Sequence, residues 1–342
     1  MHEIAFPLLV GLVLVALAFD YLNGLHDAAN SIATVVATRL LGPVTAVGFA
    51  AFFNFAAYFL TLAFPSLHKV AETVGAGLID KELVTPGVIF GALAGAMFWN
   101  VVTWLKGIPS SSSHALVGGI IGAGVTHAGL SGIQWSGLNK TLIAIVLSPM
   151  LGMWLSMFFM LATSWLFRGA SARSAESSFR FLHLLSSAAY SVSHGLNDAQ
   201  KTMGIITVLL YSTGYLSGEF HVPHWVAIAC YTAIAMGTLT GGWKIIETMG
   251  SRITKLSQHQ GFSASMGGSV IVFAASVLGI PVSTTHTITG CIIGAGTARR
   301  ASAVRWGVAR SVAVAWIITI PASAAVGALF YALTVLGGRL FF

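Results

Sequence analysis

Charge is scarce in this sequence. Asp, Glu, Lys and Arg together make 8% of its 342 residues, against roughly 25% in a soluble domain. So few charges cannot cover a water-facing surface of this size, which excludes an ordinary soluble enzyme or binding module. Cysteine is nearly absent: Cys230 and Cys291 both lie in apolar segments, which excludes a disulfide framework and a cysteine metal site. No nucleotide-binding motif occurs, so ATP does not drive the protein directly. The net charge of +7 does not point to nucleic acid. The basic residues sit in short loops between apolar runs, where they set membrane topology.

Apolar runs are what the chain has in abundance. Val44–Phe64, Gly87–Leu105, Leu142–Phe167, Val226–Gly242 and Ser311–Ala332 each approach the roughly 20 residues that cross a hydrocarbon core as a helix. The 38 glycines suit close helix packing in lipid. The first run, Ile4–Phe19, lacks a basic leader and continues into a polar motif, Asp20 to Asn30. It reads as a retained span and not a signal peptide. Trp99, Trp104, Trp135, Trp225 and Trp306 read as interfacial anchors or packing, and Gly91/Gly95 and Gly118/Gly122 as helix contacts. His127, His183, His221, His224 and His259 read as interface or loop residues.

Two polar motifs interrupt the apolar sequence, and each occurs twice. Gly24-Leu25-His26-Asp27-Ala28 returns as Gly195-Leu196-Asn197-Asp198-Ala199. Gly107-Ile108-Pro109-Ser110-Ser111-Ser112-Ser113-His114 returns as Gly279-Ile280-Pro281-Val282-Ser283-Thr284-Thr285-His286. Asp27 thus recurs as Asp198 and His114 as His286, and the two offsets agree to within a single position. Gly/Ser bias in lipid could produce either motif alone, but not two at one spacing. The chain therefore divides into a first repeat, 1–167, a cytoplasmic linker, 168–180, and a second repeat, 181–342. Loop charge is opposed between the copies. Pro65–Thr85 carries Lys69 and Lys81 against Glu72, Asp80 and Glu82, while its counterpart carries Lys244, Arg252 and Lys255 against Glu247. Val125–Lys140 has Lys140 alone, whereas its counterpart has Arg299, Arg300, Arg305 and Arg310. Basic loops face the cytoplasm, so this predicts an all-α membrane protein with an inverted-topology repeat. Both termini are then expected outside, and each half makes an odd number of crossings, counted as five. Lys69, Lys81 and Arg339 run against this topology. Broken helices or re-entrant hairpins are expected at the membrane midplane; hydropathy leaves open whether Pro109–Gly124 is a broken crossing or part of a hairpin.

Asp27 and Asp198 carry the most chemistry. A carboxylate near the bilayer centre costs about 2.5–3.5 kcal/mol on insertion scales and needs a partner or a task. Asp27 lies among Asn23, His26, Asn30 and Ser31; Asp198 lies among His194, Asn197, Gln200, Lys201 and Thr202. Two such residues at repeated positions point to a coupling-ion or proton site, with His26, Asp27, His194 and Asp198 as proton carriers. The Pro-Ser and Pro-Val-Ser runs read as starts of half-helices, with Pro in the first turn and hydroxyls at the free N–H groups. Ser111, Ser112, Ser113, Ser283, Thr284 and Thr285 would then make a donor-rich pocket for a tetrahedral oxyanion. His114 and His286 orient that pocket, carry a proton or pack against it. The repeats differ where Asn30 aligns with Lys201. Lys201 either replaces a second cation beside Asp198 or faces the anion as a fixed counter-charge. No ligand set for a resident metal or cofactor is expected.

With these residues in place the chain resembles the inorganic phosphate transporter (PiT) family over nearly its whole length. The match rests on Gly24–Asn30, on His194-Gly195-Leu196-Asn197-Asp198-Ala199-Gln200-Lys201, and on both Pro-x-Ser-[Ser/Thr]-[Ser/Thr]-His motifs. The resemblance implies a dimeric inverted-repeat symporter of the plasma (inner) membrane. It assigns Asp27, Asn30, Asn197 and Asp198 to the coupling cation, and Ser111, Ser112, Ser113, Ser283, Thr284 and Thr285 to phosphate. Lys201 departs from the sodium-coupled members, which tend to have Asn there. The short form is similar to bacterial members, implying H⁺ ahead of Na⁺ and phosphate alone or as a neutral metal complex. A sulfate permease of the same architecture, an anion channel and a sodium-coupled symporter are the rival readings; an intramembrane enzyme is disfavoured.

Overall fold

The computed structural model describes residues 5–76 and 83–341. Asp80, Lys81 and Glu82, part of the acidic loop considered above, lie outside the described residues, as does the side chain of Arg339. Among the described residues the chain forms α1 (Phe6–Ala37), α2 (Pro43–Ala63), α3 (Lys69–Ala76), α4 (Pro86–Lys106), α5 (Ser112–Ala128), α6 (Trp135–Leu166), α7 (Ala172–Ser212), α8 (His224–Thr240), α9 (Trp243–Glu247), α10 (Gln258–Val277), α11 (Thr284–Arg299) and α12 (Trp306–Phe341). The sequence marks many of their ends. Proline opens α1, α2 and α4, where its missing N–H costs nothing. The Thr85 hydroxyl accepts from Val88 N–H at the start of α4, and Ser257 and Gln260 form a capping box on α10.

Six of these helices, α1, α2, α4, α6, α10 and α12, are long and apolar enough to cross a membrane; α8 and α9, bent by 68°, make a seventh if taken together. The longest helix, α7 at 41 residues, is not among them. Its polar residues break the apolar run, yet every residue from Ser193 to Leu210 is buried. α7 begins at Ala172, so residues 172–180 of the expected linker are already helical.

The interrupted segments resolve as hairpins. α4 ends at Gly107, which takes the left-handed conformation (φ 64°), and Gly279 does the same after α10 (φ 71°). α5 then runs back along α4, with Gly119 against the Ala92 carbonyl. α11 runs back along α10, with Gln260 Nε2 donating to Ala295 O at 3.2 Å. The chain therefore reverses at 107–111 and 278–283, which is hairpin geometry and not a broken crossing.

Each hairpin leans on a helix of the other half. Gly118 and Gly122 of α5 press on the backbone of α12 at Ile320 and Ala324; Gly290 and Gly294 of α11 press on α6 at Pro149 and Met153. A Cβ at any of the four would strike backbone atoms. α6 and α12 each carry an internal proline at these contacts, Pro149 and Pro321, and the two occupy matching positions of the repeats. The close approaches Gly107–Lys244 and Gly279–Lys69 form a further exchanged pair.

Candidate functional site

The two hairpin tips meet. Ser113 Oγ of the first donates to Val282 O of the second at 3.2 Å. The imidazoles of His114 and His286 lie edge to face, 4.1 Å between centroids, and His286 stacks on Trp316 at 3.8 Å. Ser111 and Ser283 are the N-caps of the returning helices. Each hydroxyl accepts from the backbone N–H three residues on, of His114 and His286, at 3.2 Å. Their oxygens therefore serve their own helices, as a cap must, leaving Ser112, Ser113, Thr284 and Thr285 as the hydroxyls turned to other elements.

Those hydroxyls converge on the two carboxylates. Ser112 Oγ donates to Asn23 Oδ1 at 2.5 Å and lies 3.1 Å from Asp27 Oδ2. Thr284 Oγ1 reaches Asp198 Oδ2 at 3.0 Å and Asp27 Oδ2 at 3.4 Å, and Thr285 Oγ1 reaches Asp27 Oδ1 at 3.3 Å. Asn30 Nδ2 donates to both threonine hydroxyls, at 3.2 and 3.0 Å. Lys201 Nζ donates to Asp198 Oδ1 and Ser113 Oγ at 2.5 Å each and to Val282 O at 3.0 Å. An ammonium has three donors, and all three are in use. One ligand atom from each of Asp27, His194 and Asp198 lies within 4.8 Å of the others, a spacing that could seat a small cation. The whole cluster is closed to solvent, the most exposed of these residues being Ser113 at 6%.

Each carboxylate has its own imidazole. His26 Nδ1 lies 2.9 Å from Asp27 Oδ1, and His194 Nε2 lies 3.2 Å from Asp198 Oδ2, while its Nδ1 lies 3.1 Å from Asn54 Oδ1. The other nitrogen of His26 is 3.1 Å from Thr103 Oγ1. Thr103 directs its hydroxyl hydrogen to the carbonyl of Trp99 at 2.9 Å, one turn back. The imidazole thus bridges the Thr103 hydroxyl and the Asp27 carboxylate.

Asn197 adjoins this cluster with its Oδ1 buried and unpartnered. Its Nδ2 donates to Ser276 Oγ at 3.0 Å and Ile280 O at 3.4 Å, tying α7 to the base of the second hairpin. His183 is a correction: it is fully buried, with Nδ1 2.9 Å from Gln258 Oε1, in space left by Gly261. Three participants carried no sequence signal. Asn54 and Thr103 are scattered polar residues in apolar runs, and Tyr190, whose hydroxyl donates to Thr284 O at 3.0 Å, sits in a serine-rich stretch.

Apolar helices around a polar cluster closed to solvent, with paired helical hairpins meeting tip to tip, define an integral membrane protein of the transporter class. The comparisons with known proteins narrow this. The pattern of the Phosphate transporter family matches residues 23–327. A Rhizobium meliloti protein named "Probable low-affinity inorganic phosphate transporter" is 61% identical over 328 residues, 96% of this chain and 97% of its own length. A Bacillus subtilis protein of the same name is 40% identical over 96% of this chain and 98% of its own. A solved structure titled "The sodium-dependent phosphate transporter" superposes with a TM-score of 0.84 at 25% identity, covering 97% of this chain and 100% of that one. This chain belongs to the phosphate transporter family, whose members are transporters and not enzymes.

Proposed function

We propose that the protein imports inorganic phosphate across the bacterial inner membrane by proton symport, working by alternating access. The names of its relatives support phosphate. The observation that carries the mechanism is the meeting of two hydroxyl-bearing hairpin tips on Asp27 and Asp198 in a pocket closed to solvent. Two carboxylates against one ammonium leave that pocket with one negative charge when its imidazoles are neutral. An anion cannot join it until a cation does, because an unbalanced charge in low dielectric costs several kcal/mol. Coupling is thus written into the charge count. Opening of the tips would free Ser112, Ser113, Thr284 and Thr285 to bind phosphate, with Ser111 and Ser283 holding the helix starts. Lys201, with all three donors on protein oxygens, takes the place of one cation and leaves one transported.

The proton reading is supported by the imidazole beside each carboxylate, His26 on Asp27 and His194 on Asp198. Sodium and other hard cations prefer shells of oxygen, whereas each carboxylate here faces an imidazole. The second reading is sodium coupling, favoured by the sodium-dependent neighbour and by the spacing of Asp27, His194 and Asp198. The exchanged contacts Gly107–Lys244 and Gly279–Lys69 support a repeat of residues 1–167 and 181–342 about the linker, and the opposed loop charges support its inversion, with both termini outside. A homodimer and a metal-phosphate substrate rest on the family resemblance.

Uptake of labelled phosphate into proteoliposomes tests all of this. An inward pH gradient should drive accumulation without sodium, and excess sulfate should not compete. Uptake that requires sodium, that ignores both gradients as a channel would, or that sulfate abolishes would refute it.

A further inference from the structure

Asp20 lies outside the site just described. It is fully buried on α1, and its carboxylate oxygens make no well-formed hydrogen bond, with Asn23, Thr202 and Cys230 the nearest polar groups. It shares a helix face with Asn23 and Asp27, three and seven residues on, which sets it about 10 Å along the axis from Asp27. The groups facing it come from three helices. They are Asn23 on α1, Thr202 on α7 with the charges of Asp198 and Lys201 beyond, and Cys230 and Tyr231 on α8. The Tyr231 hydroxyl and Thr202 Oγ1 are likewise buried without a well-formed hydrogen bond, near Thr61 and Asp20 respectively.

Tyr231 connects this carboxyl to water. It lies beside Thr61, and its ring is 6.1 Å from that of Tyr58. Tyr58 and Thr61 line a cavity of about 500 Å³ with His68, Glu72, His224 and Ala227. Ala227 is one helical turn from Tyr231, so the phenol forms the layer between cavity and carboxyl. Burial lowers the pKa of His68 at the rim, against the Pro65 carbonyl that raises it, so that imidazole is held neutral there. The loops that frame this cavity are the ones whose charge predicts an outside location.

A structural role does not explain the residue. With Asp27 aligned on Asp198, the second repeat has Ser191 at the equivalent position, and Ser191 simply donates to the Ser187 carbonyl at 2.9 Å. A carboxylate that no cation contacts directly is among the costlier groups to bury. α1 and α8 meet backbone to backbone at Gly24–Ile234 and Gly237–Tyr21, close to Asp20 along α1, and a proton needs no coordination shell there.

We propose that Asp20 is the loading site of the coupling proton, reached from the cavity through Tyr231. This rests on the proton reading of the preceding section. The carboxylate takes one proton from hydronium in the cavity, leaving water, and becomes a carboxylic acid; when the protein turns inward the O–H bond breaks, the proton passes to water on the inner side, and the carboxylate is restored within the field of Lys201. Asp20 and Lys201 are thus paired departures from the repeat, one acidic and one basic.

The test is phosphate uptake in proteoliposomes under a one-unit inward pH gradient, beside phosphate/phosphate exchange with no gradient. One coupled proton supports at most about tenfold accumulation per pH unit. Asp20→Asn and Asp20→Ser should keep exchange yet fall to about onefold accumulation. Asp20→Glu should restore accumulation, and Tyr231→Phe should slow its approach without changing exchange. Accumulation in Asp20→Asn equal to that of the parent would overturn the proposal. So would loss of exchange and accumulation together in Asp20→Asn and Asp20→Glu, which would assign the residue to structure. A parent protein indifferent to the pH gradient defeats the proton reading itself, before any variant is compared.

Discussion

Replacing Lys201 by asparagine should change how many cations accompany each phosphate. In the parent, the ammonium sits 2.5 Å from Asp198 Oδ1, with 3% and 0% of the two side chains exposed. Removing one partner of so buried a pair costs about 3–5 kcal/mol, because the other charge is left unbalanced. In Lys201→Asn that deficit falls on Asp198, and the nearest remedy is a second cation from solution. At about 1.4 kcal/mol per tenfold, the deficit corresponds to roughly two to four powers of ten in cation affinity at Asp198. Asparagine also restores the residue that Asn30 supplies in the first repeat, with its oxygen ligand. Simultaneous measurement of labelled phosphate, sodium and proton fluxes in proteoliposomes should show one additional cation per phosphate. Transport should recover as the cation concentration is raised. An unchanged ratio with phosphate affinity lost would refute this reasoning and return Lys201 to the anion as its counter-charge.

Further consequences can be checked separately. Asp27→Asn should abolish gradient-driven phosphate accumulation, since it removes the negative charge that obliges a cation to bind; accumulation persisting in this variant would place the coupling site elsewhere. Ser112→Ala and Thr284→Ala each remove a hydroxyl bonded to a carboxylate, worth about 1.5–3 kcal/mol, and should raise the phosphate KM by about tenfold or more in uptake assays while lowering the melting temperature in detergent. Gly122→Leu forces a side chain into the Ala324 backbone and should cost about 1–3 kcal/mol or more, seen as a lower melting temperature before any loss of coupling. Single cysteines at Lys140 and Arg300, in a background lacking Cys230 and Cys291, should label with an impermeant maleimide from opposite sides of the membrane; labelling from one side would contradict the inverted repeat.

Much of this architecture is legible in the sequence because lipid makes polarity conspicuous. Asp27, Asp198 and the serine and threonine runs stand out against apolar surroundings, and their common offset ties them together before any contact is known. What escapes is what depends on neighbours. The prolines at 109 and 281 announce a break, but only Gly119 against Ala92 reveals that the chain turns back. Asn197 reads as the twin of His26, yet it bonds Ser276 and Ile280 because the second hairpin passes beside it. Ser111 and Ser283 look identical to the hydroxyls that follow, and only their phase on the helix makes them caps. Asp20 is visible as the first residue of the polar stretch and gives no hint of its isolation, since a lone carboxylate declares itself by the partners it lacks.

The glycine contacts that seat α5 on α12 and α11 on α6 have a consequence for how the molecule could be divided. Each hairpin takes its brace from the opposite end of the chain, so the covalent repeat and the mechanical unit do not coincide. Fragments severed after residue 167 would each carry a hairpin without its buttress, and should assemble only when produced together. The interlock makes the ancestral unit, if it ever stood by itself, an obligate pair.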